Sequence, residues 1–330
     1  MSGWPARAPA RTSTDLNRVL LGTALVALAA ALFGTLSYIT RSADEVGIGA
    51  LPFIAWRGAL ATIALLPVLW LVSARSRGAD AGKLPSNRRL ALIAACMTGA
   101  LLNVAMFQAF LLTTIAVVLI CFYTFPAIVT IAAVPLYGEK LDRLRISALA
   151  LSAIGLLLVV LVPVLNSGEV RIDPLGVALA IGAGICQAAF ILIVGRGFAP
   201  LPAPRVAIYA LFAAGAAALA LALLLGNVDG LLLPLREPRT WGWILAGGIT
   251  GAAIPTTAFI AGIGLIGPSR AAIMMTIEPL VGIGLAAALL GEHPTLIQLI
   301  GGAAVLVAAA ILQVAPRRSV PAEPEFGPLV

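Results

Sequence analysis

Ten long hydrophobic stretches follow one another along the chain, and short segments that carry most of the charges separate them. A helix needs about 20 apolar residues to cross the hydrocarbon core of a bilayer, and each stretch is about that long. Several contain proline or glycine, which membrane helices tolerate because neighbouring groups satisfy the freed backbone atoms. The pattern predicts spans at Val19–Thr40, Leu51–Val72, Arg89–Phe110, Ile115–Tyr137, Ile146–Leu165, Leu175–Gly195, Val206–Leu225, Trp241–Gly264, Ser269–Leu290 and Leu296–Val314.

The composition supports a lipid environment for these helices. Hydrophobic residues make up 61% of the 330 residues and charged residues only 11%, whereas a soluble domain carries about 25% charged residues. Too little polar surface remains to cover a soluble fold of this size. The lipid bilayer is therefore the expected partner. The sequence lacks basic runs with interleaved aromatic residues, so we expect no nucleic-acid binding.

The lysine and arginine residues indicate how the chain is oriented in the membrane. With the N-terminus in the cytoplasm, 16 of the 21 lie in inside segments, 4 lie in outside segments, and Arg57 lies within a span. Cytoplasmic loops retain lysine and arginine, so this bias predicts an even number of spans. We expect a multi-pass protein of the bacterial inner membrane, most simply a monomer, with both termini cytoplasmic.

The sequence offers no metal, cofactor or catalytic motif. Cys96, Cys121 and Cys186 lie within hydrophobic stretches at spacings that match no metal site. His293 is the single histidine, and every aspartate falls in a loop or a terminus. A phosphate-binding loop is also missing. We therefore expect no cofactor, no metal, no ATP-driven step within this chain and no enzymatic activity.

The two halves of the chain repeat each other at an offset of 153 residues. Pro126 precedes Gly138-Glu139 by twelve residues, and Pro279 precedes Gly291-Glu292 by the same spacing. Each half holds five spans, and an odd number forces the halves into opposite topology, as in many secondary transporters. The predicted units are a cytoplasmic tail at 1–18, a first repeat at 19–165, an external linker at 166–174, a second repeat at 175–315 and a disordered cytoplasmic tail at 316–330.

The repeated motifs resemble the bacterial drug/metabolite transporter superfamily, and in particular ten-span permeases of the EamA type. The segments that carry the resemblance are Phe122–Pro126, Gly138–Leu141, Glu278–Leu280, Gly291–Pro294, Ala31–Gly34 and Gly182–Ala188. The resemblance covers residues 18 to 316. It implies two inverted five-helix repeats around a central cavity and export of metabolites such as amino acids. Phe33-Gly34, where many members have Trp-Gly, and His293 after the second Gly-Glu pair leave the subfamily open.

Two charged residues are expected at membrane depth, where a charge costs several kcal/mol. Glu278 lies ten residues into the ninth span, about 15 Å along a helix. It could carry a proton, bind a substrate ammonium group, or hold a neighbouring helix. Arg57 could extend to the outer interface as an anchor, hold a substrate carboxylate, or bind a helix C-terminus. The anchor is the simpler interpretation, and a direct Arg57–Glu278 pair is possible but not favoured.

Uncharged side chains on several spans complete the candidate set. Polar groups within a membrane either join helices or line a pathway, and apolar ones either pack the core or form a wall for an apolar or aromatic substrate. Pro126 and Pro279 are expected to bend the fourth and ninth helices and so allow rocking between two states. The cavity candidates besides Glu278 are Asn103, Phe107, Gln108, Tyr123, Gln187, Phe190, Thr256, Phe259 and Met275.

The sequence therefore favours a secondary transporter that moves a small metabolite by alternating access. Amino acids, including aromatic or other apolar ones, are the expected exported substrates, and protons are a candidate coupling ion. A channel-like facilitator and a drug efflux permease are the alternatives. An intramembrane enzyme is the least supported, because no paired aspartates or His-Glu-x-x-His helix occurs.

Overall fold

The chain is helical throughout the part that the structure describes. The computed structural model describes residues 13–75, 84–139, 142–167, 172–198, 201–290 and 295–314, and no β-strand occurs within these ranges. The tail from residue 316, residues 168–171 of the predicted linker and the second Gly-Glu pair lie outside them. The helices are α1 Ser13–Glu45, α2 Ala50–Arg75, α3 Ser86–Leu112, α4 Ile115–Phe122, α5 Phe125–Tyr137, α6 Arg143–Ser167, α7 Pro174–Gly195, α8 Ala203–Leu224, α9 Val228–Arg236, α10 Trp241–Gly248, α11 Ile254–Ile266, α12 Pro268–Met274, α13 Glu278–Leu290 and α14 Leu296–Val314.

The lengths and apolarity of these helices confirm an all-α, polytopic membrane protein. Eight of the described helical segments are long and apolar enough to cross a bilayer. The apolar part of α14, Leu296–Ile311, is shorter, and the ninth predicted span is divided between α12 and α13. These two segments remain predicted spans, so the total of ten stays a prediction.

Local sequence explains several of the helix ends. The Asp173 carboxylate accepts hydrogen bonds from the backbone N–H groups of Leu175 and Gly176 at 2.9 and 3.0 Å, and so begins α7. Asp142 accepts from the N–H of Arg145 at 2.8 Å in the first turn of α6. Gly138 ends α5 with a φ of 63°, a left-handed conformation that glycine adopts without steric cost.

The helices of the two halves contact each other in a pattern that is unchanged when the halves are exchanged. α2 packs on α8, and α6 packs on α14, which pairs the second and fifth spans with their counterparts. α3 packs on α7, and the corresponding contact of the other half is α1 on α11. Likewise α5 packs on α7, and α13 packs on α1. Two similar halves related by a pseudo-twofold axis produce this pattern.

Glycine pairs allow close approach at the two crossings between counterpart helices. A Cβ atom on Gly58 of α2 would lie 2.8 Å from the Cα atom of Gly215 on α8. A Cβ atom on Gly155 of α6 would lie 2.6 Å from the carbonyl oxygen of Gly301 on α14. Small residues let membrane helices pack backbone against backbone. The counterpart helices are therefore in direct backbone contact at both crossings.

Aromatic residues mark one end of the bundle as a membrane interface. The rings of Tyr38 and Trp243 meet edge to face at 6.1 Å, and those of Trp56 and Trp241 at 5.4 Å. The indole N–H of Trp56 also donates to the Leu231 carbonyl at 2.9 Å, so the short helix α9 lies over this end. Tryptophan and tyrosine concentrate at the interfaces of a bilayer, and the charge distribution predicts that this is the outer one.

Candidate functional site

The fourth span is interrupted near its middle, one turn before a proline. α4 ends at Phe122 and α5 begins at Phe125, with Tyr123 and Thr124 between them. Pro126 has no N–H, so the carbonyl of Phe122 loses its normal helical donor. The Thr124 hydroxyl donates to the Cys121 carbonyl at 2.7 Å, which satisfies another freed backbone group.

The ninth span has the same interruption at the equivalent place. A 3-10 turn at Met275–Ile277 separates α12 from α13, and Pro279 is the second residue of α13. Pro279 cannot donate to the carbonyl of Met275, which instead accepts from the N–H of Glu278 in the tighter 3-10 pattern. The breaks thus precede Pro126 and Pro279 rather than coinciding with them.

A glycine of the opposite half lies directly behind each break. A Cβ atom on Gly34 of α1 would be 2.6 Å from the carbonyl oxygen of Glu278. A Cβ atom on Gly184 of α7 would be 2.7 Å from the carbonyl oxygen of Phe122. The first helix of each half therefore supports the interrupted helix of the other half by backbone contact.

The two breaks face each other through Tyr123 and Glu278. The Tyr123 hydroxyl and the Glu278 carboxylate lie near enough to interact electrostatically. Tyr123 is buried and its ring lies 5.2 Å from Phe122 and 5.7 Å from Phe125, whereas Glu278 keeps some accessible surface. A carboxylate near the middle of the predicted bilayer is thus held from one side by a phenol and is accessible from another.

Arg57 and Asn103 form the second polar pair within the spans. The Arg57 guanidinium is 8% exposed, donates to the Asn103 side-chain oxygen at 3.2 Å, and lies 6.0 Å from the centre of the Phe53 ring. The Asn103 amide in turn donates to the Gly99 carbonyl at 2.8 Å. Among the described carboxylates, none forms an ion pair with Arg57, so the structure does not bring Arg57 and Glu278 together.

The other polar candidates are dispersed over their helices. Gln108, Gln187 and Thr256 are half-buried, and their side chains make no hydrogen bond within the described ranges. Thr257, the neighbour of Thr256, donates to the Ala253 carbonyl of its own helix at 2.8 Å.

The apolar candidates lie in the main hydrophobic cluster with Tyr123. Phe190 is 7% exposed, and Phe259 and Met275 are each 2% exposed. These side chains pack among the buried residues of the core. Phe107 lies on α3, but its side chain is outside the described part of the structure.

A cluster at the predicted cytoplasmic end was missed by sequence reasoning as a candidate. The Arg145 guanidinium and the Glu139 carboxylate approach to 2.6 Å, and each side chain is only 11% exposed. The Tyr137 hydroxyl donates to the Leu192 carbonyl of α7. Arg88 donates to the carbonyls of Arg196 and Gly197, just beyond the end of α7, at 2.8 and 2.7 Å. The sequence feature that could have indicated this cluster is the Gly138-Glu139 turn, because it places Glu139 beside the start of α6.

A π-helical turn in the eighth span was also missed. Residues Ile249–Ala253 connect α10 to α11, and such turns occur frequently at functional sites. Pro255 follows, and a proline in a helix clashes with the carbonyl four residues earlier, here that of Gly251. Pro255 after the glycines of Gly247–Gly251 was the signal in the sequence.

Comparison with known proteins identifies the family. The EamA-like transporter family matches residues 20–161 and again residues 174–314. A protein of Archaeoglobus fulgidus described as an uncharacterized transporter is 28% identical over 291 residues, which cover 88% of this chain and 95% of that protein. A protein of known crystal structure shares the fold with a TM-score of 0.68 at 17% identity, over 90% of this chain and 98% of the other. This multi-pass membrane protein, with its two matched halves, belongs to the EamA-like transporter family.

Proposed function

We propose that this protein exports amino acids across the bacterial inner membrane as a secondary transporter with alternating access. The observation that carries the proposal is that Tyr123 lies beside Glu278, because this brings together the interrupted fourth and ninth spans. Interrupted helices near the bilayer midplane supply the substrate and ion sites of many secondary transporters. The family membership supports transport but does not choose a substrate.

In this proposal Glu278 binds either a proton or the ammonium group of the substrate. The carboxylate lies beside the Tyr123 hydroxyl and keeps some accessible surface, so it has room for a further partner. A proton or an ammonium group at that position would compete with the Tyr123 hydroxyl. Binding there would therefore alter the connection between the two breaks.

The breaks themselves supply the proposed moving parts. Only a few backbone hydrogen bonds are lost at Tyr123–Thr124 and at Met275–Ile277, so the half-helices on either side can change their relative angle. The Glu139–Arg145 pair and the Tyr137 contact hold helices together at the predicted cytoplasmic end.

The test is counterflow of labelled amino acids in proteoliposomes. Vesicles are loaded with one unlabelled amino acid, and the uptake of its labelled form is compared with uptake into empty vesicles. We expect preloading to accelerate uptake by the wild-type protein, because a carrier returns faster when it is loaded. A channel shows no such acceleration.

Two variants connect the flux to the proposed site, and a third serves as the control. Glu278→Gln should abolish the acceleration, and Tyr123→Phe should reduce it. Glu237→Gln removes a carboxylate whose described partner is Arg239, outside the spans, and should change nothing. If preloading still accelerates uptake by the Glu278→Gln variant, the protein is a carrier in which Glu278 has only a structural role. Absence of accelerated uptake for every amino acid would refute amino-acid export and direct the search to drug-like substrates.

A further inference from the structure

The environment of Arg57 indicates a binding site that is separate from the Tyr123–Glu278 pair. A guanidinium group has five N–H donors and no acceptor, and Arg57 donates only to Asn103 among the described residues. Placing a charge within a membrane span is costly on insertion scales. Because Arg57 keeps its charge at that cost and pairs with no described carboxylate, we expect a ligand to be its partner.

Arg57 does not extend toward the outer interface as an anchor would. The start of α2 and the end of α3 both lie at the predicted outer side of the bundle. Arg57 is seven residues, or about 10 Å, from the start of α2, and Asn103 is nine residues, or about 14 Å, from the end of α3. The guanidinium therefore turns sideways or inward to reach its partner. Phe53, one turn nearer the outer end, lies beside the guanidinium.

The other donor atoms of Arg57 keep some accessible surface. Among the described side chains, the buried nitrogen and oxygen atoms that lack both a hydrogen bond and solvent access do not include those of Arg57. α2 and α3 each pack on α8 but, among the described residues, not closely on each other. The Arg57–Asn103 bridge therefore joins two helices that do not pack closely on each other, and the accessible donors of Arg57 are available to a ligand.

Asn103 fixes the direction of the guanidinium. Its amide nitrogen donates to the Gly99 carbonyl at 2.8 Å, so its side-chain oxygen is left to accept from Arg57. Asn103 is thus a positioning residue, and Arg57 is the group that would contact a ligand. A fixed, planar guanidinium binds a carboxylate through two parallel hydrogen bonds.

We propose that Arg57, oriented by Asn103, binds a carboxylate group of the transported molecule. The charge at the site matches a monoanion, because the other described buried arginines, Arg145 and Arg270, lie at the starts of α6 and α12. This assignment rests on the proposed transport function and names the part of the substrate that the protein recognises. Glu278, which the structure does not bring to Arg57, then remains available for a proton.

The first experiment compares each free amino acid with its neutral amide in binding to the wild-type protein. The probes are phenylalanine, leucine and threonine, each paired with its carboxamide, and the readout is the ligand-induced rise in melting temperature in detergent. At least one free acid should bind about tenfold or more tightly than its amide, because a hydrogen bond to a charged group contributes about 1.5 to 3 kcal/mol. Equal binding of acid and amide throughout would overturn the assignment.

The decisive variant is Asn103→Asp. It places a carboxylate at 3.2 Å from the guanidinium, where it would neutralise Arg57 within the protein and occupy its donors. We expect the unliganded protein to melt at a higher temperature and the preference for acid over amide to fall to about one. A purely structural Arg57 would give the higher melting temperature with the preference unchanged, and that result would refute the proposal.

Two arginine variants complete the design. Arg57→Gln should also remove the preference, and Arg57→Lys should keep part of it, because an ammonium retains the charge without the forked geometry. Preloading experiments separate the two proposals. Accelerated uptake without a preference for the acid over the amide would support the proposed transport function and refute the carboxylate site at Arg57. An acid preference that Asn103→Asp removes, without accelerated uptake, would keep the site and remove the function.

Discussion

Replacing Gly184 with alanine tests whether α7 supports the break of the fourth span by backbone contact. The added Cβ atom would lie 2.7 Å from the Phe122 carbonyl oxygen and 3.4 Å from the Thr124 hydroxyl oxygen. The first distance is several tenths of an ångström shorter than an ordinary van der Waals contact, and the partner is backbone. Either α7 or the break must therefore move.

The expected cost can be isolated with Gly182→Ala on the same helix. A Cβ atom on Gly182 would meet nothing within 4 Å, so this substitution should only add the helix-propensity gain of about 0.5 to 1 kcal/mol. Gly184→Ala receives the same gain and adds an overpacking cost of about 1 to 3 kcal/mol. The two variants should therefore differ by about 1 to 3 kcal/mol in unfolding free energy.

The assay is unfolding of both variants and the wild type in the same detergent, followed by counterflow of the same samples. Gly184→Ala should unfold more readily than Gly182→Ala and should transport more slowly, because the displaced break carries Tyr123. Equal stability of the two variants would show that the close approach of α7 to Phe122 is absent. A difference in stability without a difference in flux would separate this contact from the proposed moving parts.

Two further predictions concern the ends of the bundle. Glu139→Gln should lower the unfolding free energy in detergent by about 3 kcal/mol, because Arg145 then keeps a nearly buried charge without its carboxylate partner. The control Glu45→Gln breaks an exposed ion pair and should have little effect. Equal effects of the two substitutions would contradict this reasoning. The second prediction concerns topology, and its variants replace the exposed residues Asp229 and Asn87 with cysteine. In right-side-out vesicles, the cysteine at position 229 should react with an impermeant maleimide, and the cysteine at position 87 should not. The reverse result would invert the predicted topology.

The hydrophobic pattern predicted where the helices lie because membrane spans are constrained within their own sequence. Each must satisfy its backbone internally, so span length and apolarity suffice to locate it. Pro126 and Pro279 also indicated which spans are irregular. The break lies a turn earlier than each proline because the carbonyl that loses its donor is four residues before it.

The side-chain pairs could not be predicted, because they join spans that are distant in sequence. Arg57 and Asn103 are 46 residues apart, and nothing in either local sequence selects the other as partner. The helix α9 was likewise missed, since its nine residues are too few to span a membrane and read as a polar loop. Its position depends on contacts with Trp56 and its neighbours.

The correspondence between the halves has a consequence for how alike the two ends of the bundle are. At the offset of 153 residues, Gln298 corresponds to Arg145, and Glu292, which lies outside the described residues, corresponds to Glu139. Gln298 accepts from the Thr295 N–H at 2.9 Å and so serves its own helix end. An ionic contact contributes more than a neutral one. Arg145 therefore has a neutral counterpart, so the Glu139–Arg145 ion pair cannot be repeated between the same two positions at the other end of the bundle, and the two ends differ in charge although their helices correspond.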